Sequence, residues 1–279
     1  MPIRTACILI SVTLLAASCA PSAPPAPKKS AVPEGASGVV DAYRTWVLNQ
    51  TDTLVAQTEA FTSAVNSANR SQAQALYAPT RAFYEKIEPV AEALGDLDPR
   101  IDGRENDVPA DQWGGFHKLE KLLWSKDDLK SGGATAQGLL NDVHLLRAKV
   151  ETADINLGSM VTGAVELLNE VSTSKVTGEE ERYSHTDLWD FQANAEGSAK
   201  IFELLTPAVA ASDSALAATL KGRFAALFTL LDSHKKGSGY KLYTDLKPDE
   251  VKALSAAVDA VAEPLSQLGK LFPVEPSSK

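Results

Sequence analysis

The sequence predicts an all-α protein, and three observations carry that prediction. From Val39 to Phe272 the apolar residues recur at spacings of three and four, the period of a helix with one buried face. No run of convincing length alternates apolar and polar residues as a half-buried strand would. The chain has 279 residues, 44% of them hydrophobic, enough to bury a core in one large domain or two small ones. A formal net charge of −9 weighs against nucleic acid or an anionic membrane surface as partner, and suits a protein that handles cations.

Residues 1–18 read as an export signal. Arg4 precedes an apolar run, Ala6 to Leu15, which is too short to span a bilayer but right for the apolar core of a signal peptide. The run closes on Leu15-Ala-Ala-Ser-Cys19, which resembles the lipobox of bacterial lipoproteins, with Ala16 where leucine is commonest. That resemblance implies lipid attachment at Cys19; an ordinary secretory signal, cut after a small residue, is the alternative. Cleavage removes Cys7, so the exported domain has no disulfide and must rely on packing. Residues 19–38 are then the lipidated cysteine and a Pro/Ala-rich tether, whose composition cannot build a core.

The helical domain is expected over 39–279, with lobes at about 39–152 and 157–279. Val47, Leu54, Phe61, Val65 and Ala68 form a first stripe, and Leu76, Phe83, Ile87, Val90 and Leu94 a second. The turn between them offers Ser71 as N-cap. Residues 95–112 break the period and are dense in acids, as a long ordered loop or broken helix would be. Helices resume at about 113–124, 134–152, 157–173, 184–206, 211–234 and 248–271.

Three polar clusters stand out. His117 and Glu120 are three residues apart, so they share a helix face; Trp113 and Trp124 fall in the same sector, beside the stripe Phe116, Leu119 and Leu123. An imidazole and a carboxylate preset by a helix suit a metal. A solvated His–Glu pair or a satisfied core histidine is equally permitted by this spacing alone. Tyr77, Arg81, Tyr84, Glu85, Glu88 and Glu92 share the helix expected over 71–94, and Pro89 kinks it at the acid pair because it has no N–H for the carbonyl of Glu85. That face either lines a cleft or is a charged outer face. The third cluster, 177–194, places Asp187, Asp190 and Asn194 beside Phe191 and Ile201, partly buried and in need of partners, with Ser184 as candidate cap. Acids at a helix N-terminus also have a plain dipole explanation.

Tyr77-Ala-Pro-Thr-Arg81…Tyr84-Glu85-Lys-Ile-Glu88-Pro89, Asp96-Leu-Asp98…Asp102-Gly-Arg104-Glu105-Asn-Asp107, Gly115-Phe-His117-Lys-Leu-Glu120 and Gly178-Glu-Glu-Glu-Arg182…Asp187-Leu-Trp189-Asp190 together resemble the EfeO/EfeM branch of the imelysin-like (HxxE) family. The resemblance runs from Val39 to the C-terminus. It implies two antiparallel helical bundles facing a central cleft, and an exported, lipid-anchored component of iron uptake. Such proteins act with a membrane iron permease and often an exported haem peroxidase. It implies metal ligands at His117 and Glu120, with Glu85 and Glu88 across the cleft, and Asp102, Glu105, Glu180 and Asp190 as further candidates. Iron, ferrous or ferric, is the expected cargo, with zinc or copper also suited to such donors. Two departures from the family pattern are a short tether where some relatives carry a cupredoxin-like domain, and Lys118 in place of the common arginine, which keeps charge but loses the bidentate fork. No catalysis is expected. The alternatives are a metal-dependent polysaccharide-binding lipoprotein and an imelysin-like metallopeptidase, although no HExxH is present.

Overall fold

The computed structural model describes residues 34–91, 95–125 and 128–273. The expected signal peptide, Cys19 and most of the tether lie outside them. Helix α1 spans Val39–Asn66 and buries Tyr43, Val47, Leu54, Phe61 and Val65 along one face. Its turn into α2, Arg70–Glu85, is capped by Asn69, whose side chain accepts from the Gln72 N–H at 3.3 Å. The expected cap, Ser71, already lies inside the helix. Only a residue still outside the helix can turn its side chain back onto the free N–H groups of the first turn.

The helix expected over 71–94 is broken where Pro89 interrupts it. α2 ends at Glu85, and α3, Glu88–Ala91, starts after a two-residue step. The Glu85 carbonyl, deprived of a proline N–H, accepts instead from Asn194 Nδ2 at 3.0 Å. The acidic segment folds as a short helix, α4 (Leu97–Ile101), and a loop that ends where α5 (Gly115–Trp124) begins. Trp113 is therefore not helical; its indole N–H donates to the Gly103 carbonyl at 2.8 Å, tying down that loop. Trp124 packs edge-on against Tyr77.

α6 (Gly133–Thr152) and α7 (Leu157–Thr173) follow, the latter closed by a reciprocal cap between Asn156 and Ser159. After a 3₁₀ turn at Lys175–Thr177 and a loop come α8 (Asp187–Ser212), α9 (Ser214–Asp232) and α10 (Pro248–Ser266). α8 starts after Ser184, whose hydroxyl bonds Glu181 instead of capping it. The only strands among the described residues are the two-residue pair β1 (Lys235–Lys236) and β2 (Gly239–Tyr240). The fold is all-α. α1, α2, α5 and α6 pack together, as do α7, α8, α9 and α10, and the two groups meet where α2 crosses α8 and α3 crosses α7. One continuous apolar core runs through both.

Two glycines make that junction possible. A Cβ on Gly163 of α7 would stand 2.1 Å from the Pro89 carbonyl oxygen, and one on Gly197 of α8 2.3 Å from that of Lys86. The step between α2 and α3 is thus clamped backbone against backbone. Gly197→Ala should lower stability by about 1–3 kcal/mol, as overpacking does, visible as a lower denaturant midpoint at unchanged slope. An unchanged midpoint would show that the step yields freely.

Candidate metal centre

The charged residues gather where the two helix groups meet. α2 contributes Arg81 and Glu85, α3 contributes Glu88, and Asp102 follows α4. α5 contributes His117 and Glu120; the 174–186 segment contributes Lys175, Glu180 and Glu181; α8 contributes Asp187, Asp190 and Asn194. All are buried except Asp102, whose side chain is 9% exposed. A histidine and an arginine on helices normally reach water. Here the crossing of α2 with α8 and the overlying loop close over them.

Arg81 occupies the middle. Its Nη2 lies 2.7 Å from both Glu85 Oε1 and Glu180 Oε1, and its Nε lies 2.6 Å from Glu181 Oε1 and 3.5 Å from Asp190 Oδ1. Nη1 pairs with Asp102 Oδ1. Lys175 Nζ lies 3.0 Å from Glu85 Oε2 and from both oxygens of Glu88. Asn194 Nδ2 donates to Glu85 Oε2 at 2.9 Å and to Glu88 Oε2 at 2.8 Å. Glu85 and Glu88, expected to face His117 across a cleft, are held by Lys175 and Asn194, and Glu85 by Arg81 as well. At the margin, Arg104 Nη1 reaches Glu180 Oε2 at 3.0 Å.

His117 stands between two acid groups. Its Nδ1 lies 3.4 Å from Glu120 Oε2, while the other oxygen of Glu120 accepts from the Tyr183 and Ser184 N–H groups at 2.9 and 2.8 Å. The backbone thus fixes the carboxylate that fixes the ring. Nε2 lies 3.5 Å from both Asp102 Oδ1 and Glu180 Oε1 and makes no hydrogen bond. Asp102, His117 and Glu180 can converge on one ion, as can His117, Glu120 and Glu181.

The electrostatics follow from the imbalance of buried charge. Eight carboxylates face Arg81, Lys175 and His117, and a buried charge without a partner is costly. Burial and repulsion by its neighbours, Glu85 for Glu88 and Glu120 for Glu181, push both groups well above the usual carboxylate range. Burial raises Asp187 to about 7. Burial opposes ionisation of Glu180 too, but Lys175, His117 and Arg81 hold it well below that range. Burial and Arg81 press the His117 pKa down; the neighbouring carboxylates of Glu120, Glu180 and Glu181 outweigh them and raise it to about 9. Both protonated acids and a bound cation can balance such a site.

Of the residues singled out in the sequence, His117, Glu120, Glu85, Glu88, Asp102, Glu180 and Asp190 come together. Glu105 does not. It is 31% exposed, pairs with Lys121 and the Tyr183 hydroxyl, and its carbonyl accepts from Arg182 at 2.8 Å, fastening the loop over the site. Sequence reasoning gave no role to Arg81, Lys175 or Glu181. Glu181 had a signal, as part of the Gly-Glu-Glu-Glu run, where adjacent acids on a turn both point inward. Lys175 had none.

Fold and site define a helical-bundle protein built around a buried histidine in a carboxylate cage. The chain belongs to the imelysin family: the model of that family, which carries the name of peptidase family M75, matches residues 39–268. It is 45% identical over 231 residues to an EfeM/EfeO-family lipoprotein of Staphylococcus haemolyticus strain JCSC1435, covering 81% of this chain and 80% of that protein. It is 43% identical over 235 residues to one of Staphylococcus aureus strain NCTC 8325, covering 81% and 82%.

Proposed function

We propose that the protein captures iron outside the membrane at His117, Asp102 and Glu180 and passes it to a membrane permease. In this reading Cys19 carries a lipid that keeps the protein at the membrane surface, and an exported haem peroxidase is a further partner. Zinc and copper are the other ions these donors would take. The observation that carries the reading is His117 Nε2, buried without a hydrogen bond and aimed between two carboxylate oxygens 3.5 Å away. Glu120 then supports the ring at Nδ1, as a carboxylate behind a ligating histidine does. The relatives' names, EfeM/EfeO-family lipoproteins, support the anchor. Burial of His117 and Glu180, with Asp102 only slightly exposed, suits a bare ion better than a peptide or polysaccharide chain.

A His117 pKa of about 9 means that the empty site is protonated at neutral pH, and a metal must displace that proton. Calorimetric titration with ferrous iron under anaerobic conditions, in buffers of different ionisation enthalpy, should therefore show at least one proton released per ion at pH 7. Affinity should weaken as pH falls below 9. Iron binding with no proton release would mean that His117 is not a ligand or is already neutral in the empty site.

A further inference from the structure

Arg81 is the largest fully buried side chain among the described residues. Two of the oxygens it pairs with, Asp102 Oδ1 and Glu180 Oε1, are the same two that stand 3.5 Å from His117 Nε2. A metal on Nε2 and the guanidinium of Arg81 thus address the same atoms. A guanidinium does not lose its proton inside a protein, so Arg81 cannot withdraw by becoming neutral. It does have other partners: Glu85, Glu181 and Asp190 remain when Asp102 and Glu180 are taken.

We propose that Arg81 is the built-in counter-cation of this pocket, neutralising in the empty protein the two oxygens that a metal on His117 Nε2 would use, and so holding metal affinity down. The inference rests on the metal reading given above. Two consequences come from one charge. The empty cage keeps a cation, without which so many buried carboxylates would repel one another. The loaded cage has a fixed positive charge beside the ion, in surroundings where repulsion is weakly screened. A carrier that must give up its cargo gains from both, because emptying the site returns the carboxylates to a partner already in place.

Calorimetry with zinc(II), a redox-inert probe, tests this on the exported chain with and without Arg81→Gln or Arg81→Lys. Arg81→Gln should bind zinc about tenfold more tightly or better, because a repelling charge is gone. Arg81→Lys, which keeps the charge, should stay close to wild type. Zinc-free Arg81→Gln should melt lower than wild type, and zinc should raise its melting temperature by more. If Arg81→Gln does not fold without metal, its refolding is followed by circular dichroism against zinc concentration. Half-recovery below the wild-type dissociation constant supports the proposal, and no recovery at any concentration overturns it. Equal or weaker zinc binding by folded Arg81→Gln also overturns it, and makes Arg81 a residue that merely positions the carboxylates. Wild-type zinc binding that survives His117→Ala would instead overturn the metal reading beneath.

Discussion

His117→Ala should abolish iron binding at the cage while leaving the protein folded. The imidazole is the only nitrogen donor of the two candidate ligand groups, and its Nε2 is the atom on which Asp102 and Glu180 converge. Alanine is the best helix former, so α5 should persist. Glu120 keeps its two backbone donors, Tyr183 and Ser184, whether or not the ring is there. The loss should exceed the effect of Glu120→Gln, which removes a supporting charge and should weaken binding by about 10–100-fold. Titration of both variants with ferrous iron reads the difference directly. Equal losses would place Glu120 in the coordination sphere beside the histidine; iron binding unaffected by His117→Ala would remove the site altogether.

The largest expected effect on the empty protein is that of Lys175→Met. Lys175 is 1% exposed, and its ammonium sits within 3.0 Å of Glu85 and Glu88. Methionine fills much of the same space but leaves two adjacent carboxylates with only Asn194 and Arg81 to answer them. Removing one partner of a buried ion pair costs about 3–5 kcal/mol. Glu88, already inclined to hold a proton, limits the damage by staying neutral. The double variant Lys175→Met/Glu88→Gln, in which a permanently neutral amide replaces a carboxyl that must otherwise take up a proton, should therefore recover part of the loss. Denaturant unfolding of the three proteins measures it. Wild-type stability in Lys175→Met would mean that Glu85 and Glu88 carry protons enough to need no cation.

Much of this architecture was readable from residue order. The expected helix 157–173 is α7 to the residue, and the α5 pair of His117 and Glu120 shares a face as i,i+3 spacing requires. The interruption at Glu85–Glu88 followed from Pro89, and burial of Asp187, Asp190 and Asn194 followed from their place beside apolar neighbours. The misread helix starts share a cause. Ser184 and Trp113 were placed by extending a helix too far toward its N-terminus, and Ser71 by starting one too late. Helix starts are settled by which side chain reaches a free N–H, and often by a distant contact such as that of Trp113 with Gly103.

Periodicity and the chemistry of single residues determined the all-α fold, the break in α2 and a histidine paired with a carboxylate. They did not determine who neutralises whom. Glu85 and Glu88 had the spacing of metal ligands, yet apart from the Arg81–Glu85 pair within α2 their partners are Lys175 and Asn194, roughly ninety to a hundred and ten residues further along the chain. Glu105 had the composition of a ligand and became a fastening of the loop. Helical spacing is set within a few residues by backbone geometry. The pairing of buried charges depends on which helices cross and how closely, and that closeness is set here by Gly163 and Gly197, far in sequence from Glu85 and Glu88, the acids beside the backbone they clamp.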